Sequence, residues 1–336
     1  MTREITTVAD DEIVVHDGAT VRRYQGLAPD CEHEVDGISV RTLPRPGSEL
    51  LCRFATVNDV HFGETECGVM EGFELGAVFR SEPGEEPYPE MMNRGAIDEI
   101  TSIDPAAVVV KGDLTSDGTV AEYERFLEFY GNAFDSTLHH VRGNHDAYTG
   151  GTFASGAPFL VDVPGARLAV IDTTIPRAAT GQVAPSTIEW LDDVAGDAAR
   201  EGVRMLVFGH HHVWSPLSKR RESGYFGINP DDSERLIDVV ARHDVIAGYF
   251  AGHTHRNRVR RIPATGSRPW VEVACVKDFP GTWAEYRVFD GGILQVHRRI
   301  STDAALSWTE KTRDMFGGLY PDYAFGTLDD RCFVIA

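Results

Sequence analysis

The sequence predicts an α/β protein, with central sheets and helices packed outside them. Three observations carry that expectation. From residue 50 to about 300, apolar β-branched runs alternate with amphipathic segments of helical period. Five of those runs end in residues able to bind metal, and ligands of open α/β sheets gather at the carboxyl ends of strands. The 336 residues are 42% hydrophobic, which allows one large domain and a small appendage.

Residues 11–47 read as a small β element. The stretch VRRYQGLAPDCEHEVDGISVRTLP alternates, turns at Pro29-Asp30 and Asp36-Gly37, and alternates again. It is too short for a complete sandwich. A hairpin or partial sheet leaning on the main body is expected, so residues 1–48 are set apart as an N-terminal β appendage.

A strand over 50–58 precedes Asp59, a helix is expected around 94–102, and a strand over 106–112 ends at Asp113. TVAEYERFLEFYGN has the period of an amphipathic helix. TLHHVRG is a short strand leading to Asn144, and PFLVDVPGARLAVIDT gives two strands joined at Pro164-Gly165. PSTIEWLDDVAGDAAREG reads as a helix opened by a capping box from Ser186 to Glu189 and closed by Gly202. VRMLVFG leads to His210, DSERLIDVVARH is a helix, and DVIAGYFAG leads to His253. Residues 270–300 give further strands with a hairpin turn at Asp290-Gly291-Gly292, and a short helix covers 303–316.

The main domain is thus expected over 49–300, with a C-terminal extension over 301–336. An acidic insertion rich in Gly and Pro interrupts it at 64–92. Loops of this length are functional or disordered, and the two are weighed equally here.

The 52 acidic against 32 basic residues give a net charge of −20. A nucleic-acid partner would want a positive surface, and an anionic membrane is disfavoured for the same reason. No apolar run reaches membrane-spanning length. The N-terminus shows no basic start followed by an apolar core, so a cytoplasmic protein is expected. The cysteines, Cys31, Cys52, Cys67, Cys275 and Cys332, are odd in number and widely spaced. Reduced thiols are expected rather than disulfides or a thiolate zinc site.

The chemistry lies at the strand ends. They read NDVHFG (Asp59, His61), KGDLTSDG (Asp113), RGNHDAY (Asn144, His145, Asp146), FGHHHVW (His210, His211, His212) and AGHTHRNR (His253, His255). Each motif alone is weak, because a lone His near a strand end is more often a hydrogen-bonded core residue. All five together, each after a β run, point to one metal-binding crevice. Asp113 sharpens the point: three valines run straight into it, and a carboxylate ending a buried strand needs a strong partner.

With these motifs on view, residues 50–300 resemble a calcineurin-like metallophosphoesterase. Within that superfamily the chain is most similar to the class III cyclic-nucleotide phosphodiesterases. GDLTSDGTVAEYERF and IDTTIPRAATGQVAPSTIEWLDD carry the likeness, with Asp172, Gly181 and Trp190-Leu191 placed as in those enzymes. Purple acid phosphatases have Tyr three residues after the G-D aspartate. This chain has Ser116 there, which disfavours that subclass.

The resemblance implies a four-layer α-β-β-α sandwich and two divalent transition-metal ions. One ion would be held by Asp59, His61, Asp113 and His255, the other by Asp113, Asn144, His210 and His253, with Asp113 bridging. Relatives usually read H-H-P-P where this chain reads His210-His211-His212-Val213. Alignment on the preceding strand gives His210 as the ligand, with His211 as the alternative. Oxygen and nitrogen donors without thiolate suit Mn, Fe or Zn. The implied reaction is hydrolysis of a small anionic phosphate ester by a hydroxide bridging the metals.

The same resemblance gives His145 a catalytic role, as transition-state stabiliser or acid to the leaving alkoxide, with Asp146 orienting it. Asn144, His145 and Arg142 are the candidate substrate contacts, and Arg256 flanks the last motif. A phosphodiester is favoured, with 3′,5′-cyclic nucleotides as the guess from the resemblance. The insertion is expected to form an acidic rim that repels multiply charged phosphates. A phosphomonoesterase, a glycerophosphodiesterase and a non-catalytic scaffold of the same fold are the alternatives, a nuclease being opposed by the charge. A homodimer is left open.

Overall fold

The computed structural model describes residues 3–69, 72, 75–154 and 156–335. The strands are β1 (Arg3–Val8), β2 (Glu12–Asp17), β3 (Thr20–Gln25), β4 (Glu32–Val35), β5 (Ile38–Arg41), β6 (Leu50–Val57), β7 (Val108–Lys111), β8 (Leu138–Val141) and β9 (Phe159–Val163). They continue as β10 (Ala166–Val170), β11 (Met205–Phe208), β12 (Ile246–Ala251), β13 (Arg258–Arg261), β14 (Pro269–Glu272), β15 (Thr282–Phe289), β16 (Gly292–Arg299) and β17 (Phe333–Ile335).

Two six-stranded sheets form the centre, in the orders β17-β16-β15-β6-β7-β8 and β13-β14-β12-β11-β10-β9. Strands β6, β7 and β8 run parallel, as do β10, β11, β12 and β14, with antiparallel strands toward the edges. The pleat explains the layering. Val109 points to the core between the sheets, against Phe208 and Phe250, while Val108 and Val110 point outward to the helices at Tyr88–Thr101 and Val120–Phe126. On the far side, Met205, Val207 and Tyr249 pack under the helices Pro185–Glu201 and Pro230–Arg242. The architecture is the expected α-β-β-α sandwich.

Several local readings need correction. The first helix begins at Tyr88, inside the stretch assigned to the insertion, because Pro87 and Pro89 suit a helix start. The helix over 185–201 has no capping box. Pro185 takes its first position with Ala184 as cap, which puts Ser186 within the first turn. Capping boxes join Thr119 to Glu122 and Thr327 to Asp330 instead. Gly202 does close the 185–201 helix, with φ 69°. Residues 70, 71, 73 and 74 of the insertion lie outside the described residues.

The N-terminal segment gains a strand the sequence did not suggest: β1, β2 and β3 form a meander, and β4 and β5 a hairpin turning at Asp36-Gly37. Thr7 Oγ1 donates to the His297 carbonyl at 2.7 Å, tying β1 to β16. Arg287 of β15 reaches Asp10 and Asp11, both at 2.7 Å, and Arg298 of β16 reaches Glu12 at 2.6 Å. The last residues return to the sheet, where β17 pairs with β16.

Candidate metal centre

The two sheets pack face to face, and the strand ends that carry the motifs lie on one side of that interface. Lys111, at the end of β7 and fully buried, sends its Nζ across the seam to the Ala251 carbonyl of β12 at 2.9 Å. His210 crosses the other way, its Nδ1 2.8 Å from the Lys111 carbonyl. The seam brings the five strand-end motifs into one cleft.

Asp113 stands at the centre, with Oδ2 3.5 Å from His61 Nε2 and 3.3 Å from His210 Nε2. His210 Nε2 also lies 3.0 Å from Asn144 Oδ1. Asp59 faces His255 Nε2 at 3.5 Å and accepts from the His253 backbone N–H at 3.1 Å. The His253 ring is 5.1 Å from that of His210 and 4.5 Å from that of His211. Asp59, His61, Asp113 and His255 therefore form one group of potential ligands, and His210, His211 and His253 an adjoining one.

The backbone is bent to achieve this. Five of the seven expected ligands, Asp59, His61, Asp113, His253 and His255, have φ between 48° and 70°. Left-handed conformations are uncommon for such residues and concentrate at functional sites. Gly112 shows why glycine precedes Asp113: a Cβ there would lie 2.6 Å from His210 Nδ1 and 2.7 Å from the Gly143 nitrogen.

The electrostatics fit a cation. Buried nitrogens of His61 (both), His211 (Nε2) and His253 (Nε2) have no hydrogen-bond partner. Unpaired buried polar atoms are costly, and a cation would satisfy a cluster of imidazole lone pairs. Burial, then neighbouring imidazoles, holds His61 and His253 well below the usual histidine range, so both are neutral and able to donate a lone pair. Burial alone would raise the Asp113 carboxyl, but His210, His145 and His61 outweigh it and keep it ionised. Cys275 forms a third group with His255 and Asp278. Its thiol sits 2.9 Å from Asp278 Oδ1, and burial followed by the Asp278 charge pushes it well above the usual thiol range. It stays protonated, and the donor set is oxygen and nitrogen.

His145 lies beside this cluster, its ring 4.5 Å from that of His61. Its Nδ1 is 2.6 Å from the Ser116 carbonyl, and its backbone N–H donates to Asp113 Oδ1 at 3.0 Å. Asp146 does not orient that ring. Its buried carboxylate accepts from the N–H groups of Leu114, Thr115 and Gly143 and from Thr115 Oγ1, at 2.6–3.1 Å, locking the two loops together. Burial and then the Asp113 charge push Asp146 up to about 6.

The arginines are also elsewhere. Arg142 is buried and clamps Asp172 at 2.9–3.0 Å, and Arg256 binds Glu272 at 2.8–2.9 Å and stacks on Tyr323. Neither is free for phosphate. Of the insertion's acidic residues, Glu64 and Glu66 line the cleft, Glu66 paired with Arg80 and Glu64 with Lys277 at 2.6 Å, while Glu71 and Glu74 lie outside the described residues.

Sequence reasoning missed Glu64, whose Oε2 lies 3.2 Å from His61 Nδ1, and Tyr148, which receives a hydrogen bond from Asn144 Nδ2 at 2.7 Å. It also missed Lys277 and Asp278, 3.1 Å apart on the cleft wall. They follow β14, and a search of every strand end for any charged pair would have found them.

Residues 52–257 match the family model described as calcineurin-like phosphoesterase. The chain belongs to this family. Among calcineurin-like relatives it is similar to a cyclic nucleotide phosphodiesterase, named as probable, of Synechococcus sp., at 26% identity over 157 residues, 45% of this chain and 58% of that protein. It is similar to the glycerophosphodiester phosphodiesterase GpdQ of Enterobacter lignolyticus, at 25% over 181 residues, 49% and 63% of the two chains. It is similar also to the 3′,5′-cyclic adenosine monophosphate phosphodiesterase CpdA of Pseudomonas aeruginosa, at 27% over 190 residues, 52% and 63%. The chain thus spans 58–63% of the length of these curated relatives. A solved dimetal phosphatase from Danio rerio shares the fold, with a TM-score of 0.55 at 14% identity over 75% of this chain and 97% of that one.

Proposed function

We propose that this chain is a metal-dependent phosphoric ester hydrolase acting on phosphodiesters. One observation carries the reading: potential ligands from five strand ends converge at a buried seam, where ring nitrogens of His61, His211 and His253 are unpaired. Asp59, His61, Asp113 and His255 would hold one divalent ion, and Asp113, Asn144, His210 and His253 a second. His210 is preferred to His211 because its Nε2 faces both Asp113 and Asn144, and His211, whose Nδ1 is bound to Thr173 Oγ1 at 2.8 Å and whose Nε2 is unpaired, is the alternative. When bound, two such ions supply Lewis-acid polarisation of a phosphoryl oxygen and a water of lowered pKa.

The chain's own groups do the rest. The Ser116 carbonyl accepts from His145 Nδ1–H, so a second proton, carried on Nε2 in the imidazolium form, is the one passed to the leaving alkoxide, which returns the ring to its neutral Nδ1–H tautomer. Asp146 holds the Asp113 and Asn144 loops at their spacing without touching substrate.

A diester is favoured because, among the described residues lining the cleft, Lys277 is the sole lysine or arginine, and it is already bound to Glu64 and Asp278. A dianionic monoester would want more positive charge. Relatives named as cyclic-nucleotide phosphodiesterases make a 3′,5′-cyclic nucleotide the first substrate to try. One relative's name makes glycerophosphodiesters the second. Five unbridged cysteines suit a reducing compartment, and we place the protein in the cytoplasm.

The test is metal analysis of the purified protein together with a panel of cyclic nucleotides, glycerophosphodiesters and monoesters. About two ions per chain and faster cleavage of a diester are expected. Faster cleavage of monoesters than of every diester would end the diesterase reading, and a metal-loaded protein inert to all would favour a scaffold. Loss of one ion in His211→Ala but not in His210→Ala would exchange their roles.

A further inference from the structure

Apolar side chains left in water are distributed unevenly over this molecule. Ten large hydrophobic residues are exposed among the described residues, and six of them line the cleft that holds the candidate metal ligands: Val69, Leu75, Tyr148, Phe226, Leu319 and Tyr323. That cleft encloses about 510 Å³. Apolar surface concentrated at the mouth of a polar site marks a ligand-binding groove.

The apolar part of the lining is built from two distant parts of the chain. The insertion supplies Val69 and Leu75, and the segment after residue 312 supplies Met315, Phe316 and Leu319. The two lie backbone to backbone. A Cβ on Gly76 would fall 2.6 Å from the Gly317 nitrogen, and one on Gly68 would fall 2.8 Å from the Ala77 carbonyl and 3.3 Å from Met315 Cγ. Phe316 is held at φ 53°, ψ 40°, followed by Gly317 and Gly318 at φ 66° and 84°. A bulky residue in that conformation is an outlier, and the turn holds its ring against the cleft, edge-on to Tyr320 at 5.5 Å. The charged groups on this side are engaged with one another, Lys277 with both Glu64 and Asp278 and Glu66 with Arg80.

We propose that Val69 and Leu75 of the insertion and the Met315–Leu319 turn together form an apolar wall that receives an uncharged, apolar ester arm of the phosphodiester, and thereby select it over a small or polyhydroxylated arm such as glycerol. The occupant follows from continuity: the wall and the candidate metal ligands line one cavity, so a phosphodiester whose phosphorus lies at Asp113 must lay one ester group along it. The inference rests on the phosphodiester reading above. It adds a specificity element whose second half lies beyond the family match at 52–257.

The experiment uses the full chain loaded with Mn²⁺ and a series of p-nitrophenyl phosphodiesters. The leaving group is constant, and the retained ester group is methyl, glyceryl, phenyl or octyl. kcat/KM should be roughly 10–100-fold higher for phenyl or octyl than for methyl or glyceryl, the range that a few buried apolar groups command. Phenyl above octyl assigns a ring-bearing substrate, and octyl above phenyl an alkyl or acyl chain. Equal rates across the series overturn the proposal. Phe316→Gly suits the left-handed backbone, and Leu319→Asn changes a side chain that is 69% exposed, so the double variant should fold. In it the phenyl-to-methyl ratio should fall toward one, and an unchanged ratio removes these residues from the wall. Calorimetric binding of methylphenylphosphinate and dimethylphosphinate, whose P–C bonds are not hydrolysed, reads the arm without turnover. About tenfold tighter phenyl binding supports the wall even where no diester is hydrolysed, and equal binding overturns it. Failure of the hydrolase reading and failure of this inference thus give different results.

Discussion

Arg287 and His253 are both buried, but their surroundings differ in kind. Under the N-terminal strands, Arg287 meets Asp10, Asp11 and Glu285 at 2.7–2.9 Å, and Arg298 meets Glu12 and Glu285 at 2.5–2.6 Å. Those charges are answered within the chain, on ordinary strand backbone. At the seam between the sheets, His61 and His253 sit on left-handed backbone and carry buried ring nitrogens without a hydrogen-bond partner. A network closed on itself is a fastening, whereas a network left open on strained backbone is a receptacle. The first should respond to mutation in stability, the second in metal content and turnover.

The largest expected effect is at the receptacle. Asp113→Ala should lose both of about two bound ions and at least roughly 10⁴ in turnover, since it removes the shared carboxylate. Inductively coupled plasma analysis of the purified variant checks this, and retention of either ion would break the bridging assignment. His145→Ala should keep its metals and lose about 10²–10⁴ in turnover. That loss should shrink with a leaving group that needs no proton, and an equal loss for good and poor leaving groups would exclude the acid role.

The fastening should behave in the opposite way. Arg287→Ala should cost about 3–5 kcal/mol in urea unfolding, because it strands buried carboxylates, while turnover per folded molecule holds. Acid should weaken the same network. Burial would raise the Glu285 carboxyl, but Arg298 and Arg287 outweigh it and bring it to about 2 from an ordinary 4.5. A depressed carboxylate stabilises above its unfolded pKa, so its contribution of about 3 kcal/mol should be complete above pH 4.5 and vanish toward pH 2. Glu285→Gln should flatten the stability profile in that window, and a parallel profile would mean the network is not what acid attacks.

The smallest effect probes the border between the two regimes. Glu64 lies 3.2 Å from His61 Nδ1 and is itself paired with Lys277. Glu64→Gln should weaken metal affinity at the His61 side by about 10–100-fold, as carboxylates behind ligating imidazoles do. Calorimetric titration of metal-stripped protein with Zn²⁺ measures it, and unchanged affinity would make Glu64 part of the fastening.

The sequence made some of this legible and hid the rest, for physical reasons. Strands that end in Asp59, Asp113, His210 and His253 announce themselves, because a buried apolar run cannot tolerate such residues without a purpose. The sandwich follows from the same alternation. Long-range pairing leaves no local trace. Arg142 looks free beside its motif, but it is bound to Asp172, 30 residues on, and Glu64 finds Lys277 across 213 residues. Asp146 looked like a partner for His145 because it is adjacent, whereas the backbone turns it toward the Leu114 and Thr115 amides. The Phe316 turn escaped because a left-handed aromatic residue has no sequence signature beyond the two glycines after it.

Asp59, His61, Asp113 and Asn144 leave strands of one sheet, and His210, His253 and His255 leave strands of the other. A cation gripped from both sides is therefore also a rivet between the two layers. Its grip adds about 4 kcal/mol to folding when free metal stands a thousandfold above its dissociation constant. A chelator should then lower the melting temperature as well as silence the site. In a metal-starved cell the scarcity that idles this protein would also shorten its lifetime, so supply of the ion would set both how fast each molecule works and how many molecules persist.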